Sequence, residues 1–147
     1  MSTMARPRGN DWLVDEMKGL REAGSDVLVS MLTPGEADEL ELQAEAEAAT
    51  TAGLDFLSCP TPDRGVPNLD EFRDLLRQLG AALSRGQSVV VHCRMGIGRS
   101  SLVAAGLLMA EGVTGPQAWA AVAAARGMAV PDTEEQRDWL RTTMEST

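Results

Sequence analysis

Three short apolar runs, set between stretches of helical periodicity, constrain this chain more than any other feature. The runs are Asp26-Val27-Leu28-Val29-Ser30-Met31-Leu32, Leu54 to Ser58, and Ser88-Val89-Val90-Val91-His92. Each is rich in Val and Leu, short, and continuous rather than alternating, as a strand buried on both faces requires. The intervening stretches read as helices. Asp11 to Ala23 carries Trp12, Leu13, Met17 and Leu20 at helical spacing and is closed by Gly24. Thr33-Pro34-Gly35-Glu36 is a capping box with Pro at the first helical position, and predicts a helix running to Ala52. Leu69, Phe72, Leu75, Leu76, Leu79 and Leu83 line one face of an amphipathic helix capped by Asn68. Gly98 to Gly112 is almost wholly apolar and predicts a central, buried helix. Thr114 to Arg126 and Asp132 to Met144 follow, opened by T-x-x-Q and D-x-x-E. Strands alternating with helices specify an α/β fold, with a central, mostly parallel sheet of about four strands flanked by helices. At 147 residues, the whole chain reads as a single domain.

In such sheets, ligands bind beyond the carboxyl ends of the strands. Thr33, Asp63 and Cys93 each follow a different strand, so three loops converge on one edge. Composition narrows what could bind there. A formal net charge of −9 excludes nucleic acid as a partner. No apolar run reaches the ~18 residues needed to span a membrane, so no membrane association is expected. Two cysteines are too few for a disulfide framework and point to a reducing cytoplasm. A monomer is expected.

The segment His92-Cys93-Arg94-Met95-Gly96-Ile97-Gly98-Arg99-Ser100 joins the third strand to the apolar helix. A tight loop opening a helix turns backbone N–H groups and the positive dipole end toward an anion. The amides of residues 94–99 would cradle a phosphoryl group, with Gly96 and Gly98 giving the backbone its freedom. Arg99 offers a two-pronged guanidinium to two phosphate oxygens. The same field lowers the pKa of a thiol, which makes Cys93 a candidate nucleophile. Ser100 could donate to its sulfur, and His92 could fix the loop through the backbone. One His and two Cys are too few for a metal site, and no cofactor is implied.

H-C-x-x-G-x-x-R-S over residues 92–100 resembles the signature of the protein tyrosine phosphatase superfamily. The short chain is most similar to its compact dual-specificity members. That resemblance implies hydrolysis of phosphate monoesters through a phosphocysteine intermediate. Pro62-Asp63-Arg64-Gly65-Val66-Pro67 resembles the family's P-D-x-x-x-P acid loop, which makes Asp63 the general acid, ahead of Asp55 and Asp70. It also implies that Gln136 positions the hydrolytic water, and that Cys59 could protect an oxidised Cys93 as a disulfide partner. Arg126 is expected to complement its own helix C-terminus.

A phosphorylated protein or a small phosphate ester is the expected substrate. Three alternatives stay open. A phosphoinositide phosphatase of the superfamily would more often carry Lys in the catalytic loop, which here has only Arg94. An arsenate reductase or rhodanese-type protein would not need Asp63. A silent phosphoprotein-binding module would usually have lost Cys, Arg or Asp, and all three are present.

Overall fold

The structure, a computed structural model, describes residues 1–145 except 96, 97, 129 and 132. Four parallel strands form one sheet in the order β1-β4-β2-β3, where β1 is Ser2–Met4, β2 is Val27–Ser30, β3 is Asp55–Ser58 and β4 is Val89–His92. Its helices are α1 (Leu13–Glu22), α2 (Pro34–Glu39), α3 (Glu45–Thr51), α4 (Leu69–Ser84), α5 (Arg99–Ala110), α6 (Gly115–Arg126) and α7 (Glu134–Glu145). A 3-10 turn, Asn10–Trp12, leads into α1.

The central strands β2 and β4 are buried at every position, as their unbroken apolar sequence requires. Their side chains divide between two cores. Val27, Val29, Val89 and Val91 pack toward α4, α5, α6 and α7, while Leu28 and Val90 pack toward α1 and α3. α5 stands at the centre of the larger core, with its first nine residues buried.

The sheet has the expected four strands, all parallel, and one expectation about the helices is corrected. The fourth strand, β1, has no apolar run to announce it; Ser2, Thr3 and Met4 pair with Val90, Val91 and His92 through backbone alone. The helix expected from Pro34 to Ala52 is two helices. Between them Glu41 takes φ +57° and Leu42 turns inward, to 2% exposure. The break is braced from the N-terminal segment, where the Asn10 N–H donates to Glu41 O at 2.9 Å. Gly9 makes that approach possible, since a Cβ there would lie 2.2 Å from Leu40 O. The helix boundaries elsewhere fall within two residues of expectation.

Candidate active site

The carboxyl edge of the sheet brings Cys93, Arg99 and Asp63 together from two loops. Cys93 follows β4 and is 2% exposed. Arg94 and Met95 continue outward, with Met95 64% exposed at the rim. Gly96 and Ile97, expected among the phosphate-cradling positions, lie outside the described residues. Gly98 has φ −83°, an ordinary right-handed value, so no special torsion demands glycine there. Where α2, α4 and α6 are capped by Thr33, Asn68 and Thr114, α5 has no side-chain cap and no acid in its first turn. Such a helix start leaves N–H donors and positive potential for an anion.

Arg99 is the largest fully buried side chain, and its guanidinium is fixed by four acceptors. Nη1 donates to Glu36 Oε1 at 2.5 Å and to Thr61 O at 2.9 Å, and Nη2 donates to Glu36 Oε2 at 3.0 Å. Asp63 Oδ1 lies 3.4 Å from Nη2. Burial works against the charged guanidinium, but the hydrogen bonds and charge of Glu36, with the charges of Cys93 and Asp63, outweigh it and raise the Arg99 pKa. Burial likewise opposes the Glu36 carboxylate, yet Arg99 and the Thr33 N–H hold its pKa below the usual value. Glu36 had been legible only as the N3 member of a capping box. That box exists, and the same carboxylate grips Arg99 in the bidentate manner planar forks favour.

Asp63 is 57% exposed, on a turn closed by the Gly65 N–H donating to Pro62 O at 2.8 Å. Gln136 holds this turn from behind: its Nε2 donates to Gly65 O at 2.9 Å. Gln136 is fully buried, and with Thr133 it forms the cap of α7: Thr133 N–H donates to Gln136 Oε1 at 3.3 Å and Gln136 N–H donates to Thr133 Oγ1 at 3.1 Å. The expected cap residue, Asp132, lies outside the described residues.

His92 is fully buried and its two ring nitrogens reach different partners. Nδ1 faces Cys93 O at 3.4 Å. Nε2 meets Glu45 Oε2 at 2.5 Å, a contact the sequence did not suggest. Glu45 opens α3 and is 3% exposed. The helix break that turns Leu42 inward thus also delivers Glu45 to His92, at the back of the Cys93 loop.

Other site residues depart from expectation. Ser100 is fully buried, but its Oγ has no hydrogen-bond partner, so the expected bond to the Cys93 sulfur is not made in this state. Arg94 faces Glu39 at 3.5 Å and Glu36 at 3.9 Å rather than open solvent alone. Arg126 does more than complement its helix: Nη2 donates to Met95 O at 3.3 Å and Nη1 to Thr3 O at 3.5 Å. Cys59 is buried, and desolvation, with the nearby charge of Glu71, pushes its thiol up to about 11. The ladder continues one residue past the strands, with Met31 N–H on His92 O and Cys59 N–H on Ser30 O, both at 2.9 Å. Met31 therefore stands on the strand between Cys59 and Cys93, and two strand spacings separate them by about 10 Å. A disulfide needs Cα atoms within ~7 Å, so this pairing would require the backbone to move.

Over 123 residues the chain is 26% identical to cyclin-dependent kinase inhibitor 3 of Rattus norvegicus, covering 82% of this chain and 58% of that protein. The chain thus spans little more than half the length of this curated relative. Among solved structures, kinase associated phosphatase with its catalytic-site cysteine replaced by serine superposes with a TM-score of 0.87 at 20% identity, over 98% of this chain and 85% of that one. PTPMT1 in complex with PI(5)P superposes at 0.79 and 20% identity, over 99% and 90% of the two chains. Both share the fold, a phosphatase fold of the dual-specificity type. The family model described as "Polymorphic toxin system, DSP-PTPase phosphatase" matches residues 2–113, a span that takes in the whole sheet, the Asp63 turn and the Cys93–Arg99 loop, and the chain belongs to that phosphatase family.

Proposed function

We propose that this domain is a cysteine-dependent phosphatase that hydrolyses phosphate monoesters of proteins, phosphotyrosine first and phosphoserine or phosphothreonine with it. In the first step the Cys93 thiolate attacks phosphorus. The bond to the leaving oxygen breaks as Asp63 gives that oxygen its proton. The transferred phosphoryl group is held by the amides of the 94–99 loop and by Arg99. In the second step the Asp63 carboxylate takes a proton from water, the water oxygen attacks phosphorus, and the S–P bond breaks. The thiolate and inorganic phosphate are released. Ser100 would donate its hydroxyl to the departing sulfur, and Gln136 would hold the Asp63 turn and the water beside it.

One observation carries this reading. Arg99 is buried at an uncapped helix start, with its guanidinium locked by Glu36 and its Nη2 edge 3.4 Å from the Asp63 carboxylate. In-line phosphoryl transfer to sulfur needs a thiol and an acid on opposite sides of phosphorus, with a fixed cation on the equatorial oxygens between them. Cys93→Ser should abolish p-nitrophenyl phosphate turnover while phosphopeptide binding persists. Asp63→Asn should slow phenyl phosphate far more than p-nitrophenyl phosphate. Equal loss for both would remove Asp63 as the acid, and turnover surviving in Cys93→Ser would end the phosphocysteine mechanism. Full activity is expected in EDTA.

The second reading, a phosphoinositide headgroup as substrate, has the fold of PTPMT1 on its side. Against it, the loop cation Arg94 already faces Glu39 and Glu36, which leaves little charge for further phosphates. A substrate panel with phosphotyrosine peptide and short-chain phosphoinositide arms decides between them.

A further inference from the structure

A phosphoryl cradle has an inner and an outer side. A trans peptide plane carries its C=O and its N–H on opposite edges, so a loop that turns N–H groups toward one centre must turn its carbonyls away from it. Those carbonyls need donors from outside the loop. The structure supplies two. Arg94 O accepts from the Arg6 N–H at 3.2 Å, and Met95 O, one plane further, accepts from Arg126 Nη2 at 3.3 Å. Both donors come from the β1 side of the sheet. β1 runs beside β4 with Met4 opposite His92, and the chain continues two residues beyond the strand to bring Arg6 to Arg94. Arg126 is the last residue of α6, which Gly127 ends in the left-handed conformation at φ +71°. The other arm of its guanidinium, Nη1, donates to Thr3 O at 3.5 Å, so one planar fork joins β1 to the loop.

We propose, on the reading of residues 94–99 as a phosphoryl cradle, that Arg126 is a positioning residue for it. It acts through the loop rather than on the phosphoryl group. By holding Met95 O from a fixed point on β1, it sets the tilt of the peptide plane that begins there. The Arg6 N–H does the same for the plane before it, whose N–H belongs to Met95. The geometry also accounts for the residue type. A planar guanidinium bridges two carbonyls with separate arms, whereas an ammonium is a point charge on a flexible stem. The two arginines divide the work: Arg99 meets the phosphate oxygens from inside the loop, and Arg126 meets the loop carbonyls from outside. A cation acting at a distance would work equally well as lysine and would fade with salt. A peptide plane held in place does neither.

The test is titration of the full chain with inorganic phosphate by calorimetry, alongside p-nitrophenyl phosphate turnover, with a urea transition recorded for each variant. Arg126→Met should weaken phosphate binding by about tenfold, the worth of one charge-assisted hydrogen bond from a misaligned amide. Arg126→Lys should stay within about twofold of Arg126→Met, because it lacks the fork. The gap between wild type and Arg126→Met should persist, at no less than about fivefold, in about 0.5 M sodium chloride. Arg6→Pro removes the N–H donated to Arg94 O and leaves Arg126 in place. It should weaken phosphate binding by a similar factor, and it replaces Arg126→Met as the deciding variant if that one loses cooperative unfolding. Unchanged phosphate affinity, recovery by lysine, or a gap erased by salt would overturn the positioning role, while wild-type turnover would still uphold the phosphatase reading. A wild-type chain that binds phosphate and hydrolyses nothing would end the phosphatase reading, with the loss of phosphate affinity in the variants still supporting the positioning role.

Discussion

Glu36 does two jobs with one carboxylate, and they pull in the same direction. As the N3 residue of α2 it accepts from the Thr33 N–H at 3.2 Å, which fixes the side chain before it meets Arg99. The guanidinium is then held without rotamer freedom, so phosphate binding orders little that is not already ordered. Glu36→Gln keeps the cap but loses the charged fork. It should lower kcat/KM for p-nitrophenyl phosphate by about a hundredfold, the cost of an ångström-scale misplacement. The pH dependence has a definite sign. Because the folded-state pKa of Glu36 is depressed, its contribution to stability is fully present above the ordinary glutamate value of about 4.5 and is lost as pH falls through the lower folded value. Urea midpoints measured from pH 6 down to pH 3 should therefore fall more steeply for the wild type than for Glu36→Gln. Glu45 is a different case, a buried carboxylate facing a buried imidazole. Glu45→Ala removes one partner of an enclosed pair and should cost about 3–5 kcal/mol in urea unfolding. A loss below 1 kcal/mol would mean the ring finds another partner.

At the scale of elements, the informative feature is the broken helix between β2 and β3. Its sequence is acidic and Ala-rich throughout, and both halves are good helix formers, so nothing local marks a break. The break is a tertiary effect: Leu42 gains a core position, and the N-terminal segment supplies a donor to Glu41 O. Gly9→Ala would press a Cβ into the Leu40 carbonyl and should destabilise the domain by about 1–3 kcal/mol, with the loss read in urea unfolding. Because Glu45 begins the second half, the same substitution should also lower turnover, and a purely local strain would leave turnover untouched. β1 was hidden for a related reason. Ser2, Thr3 and Met4 owe their strand to an open edge on β4, which is not written in their own side chains. The strands β2 and β4 were legible because burial on both faces demands unbroken apolar residues, whereas β3, expected to be buried in the same way, is an edge strand whose Asp55 and Ser58 are exposed. The placing of Cys93 and Arg99 at the carboxyl edge of the sheet was legible because residues 92–100 join an apolar strand to an apolar helix. Glu36, Glu45 and Arg126 act across 63, 47 and 31 residues of chain, where spacing carries no signal.

The whole molecule sets a field that its site must work against. With a net charge of −9, the surface repels a phosphate dianion at long range. The compensating cations are few and mostly engaged: Arg99 is buried against Glu36, and Arg94 lies beside Glu39 and Glu36. Attraction therefore begins only when the substrate reaches the mouth of the loop, where the uncapped start of α5 takes over. Screening should distinguish these two regimes. Raising ionic strength from 0.01 to 0.15 M shortens the Debye length from about 30 Å to about 8 Å. This weakens the distant repulsion more than the close contacts. For a dianionic substrate, kcat/KM should rise over this range while kcat stays nearly constant, since the bound complex is already inside the screened distance. A phosphopeptide flanked by lysines should show the opposite trend, because the same field draws it in at low salt. A fall in kcat/KM with salt for the bare dianion would show that the loop's local positive potential, not the acidic surface, governs approach.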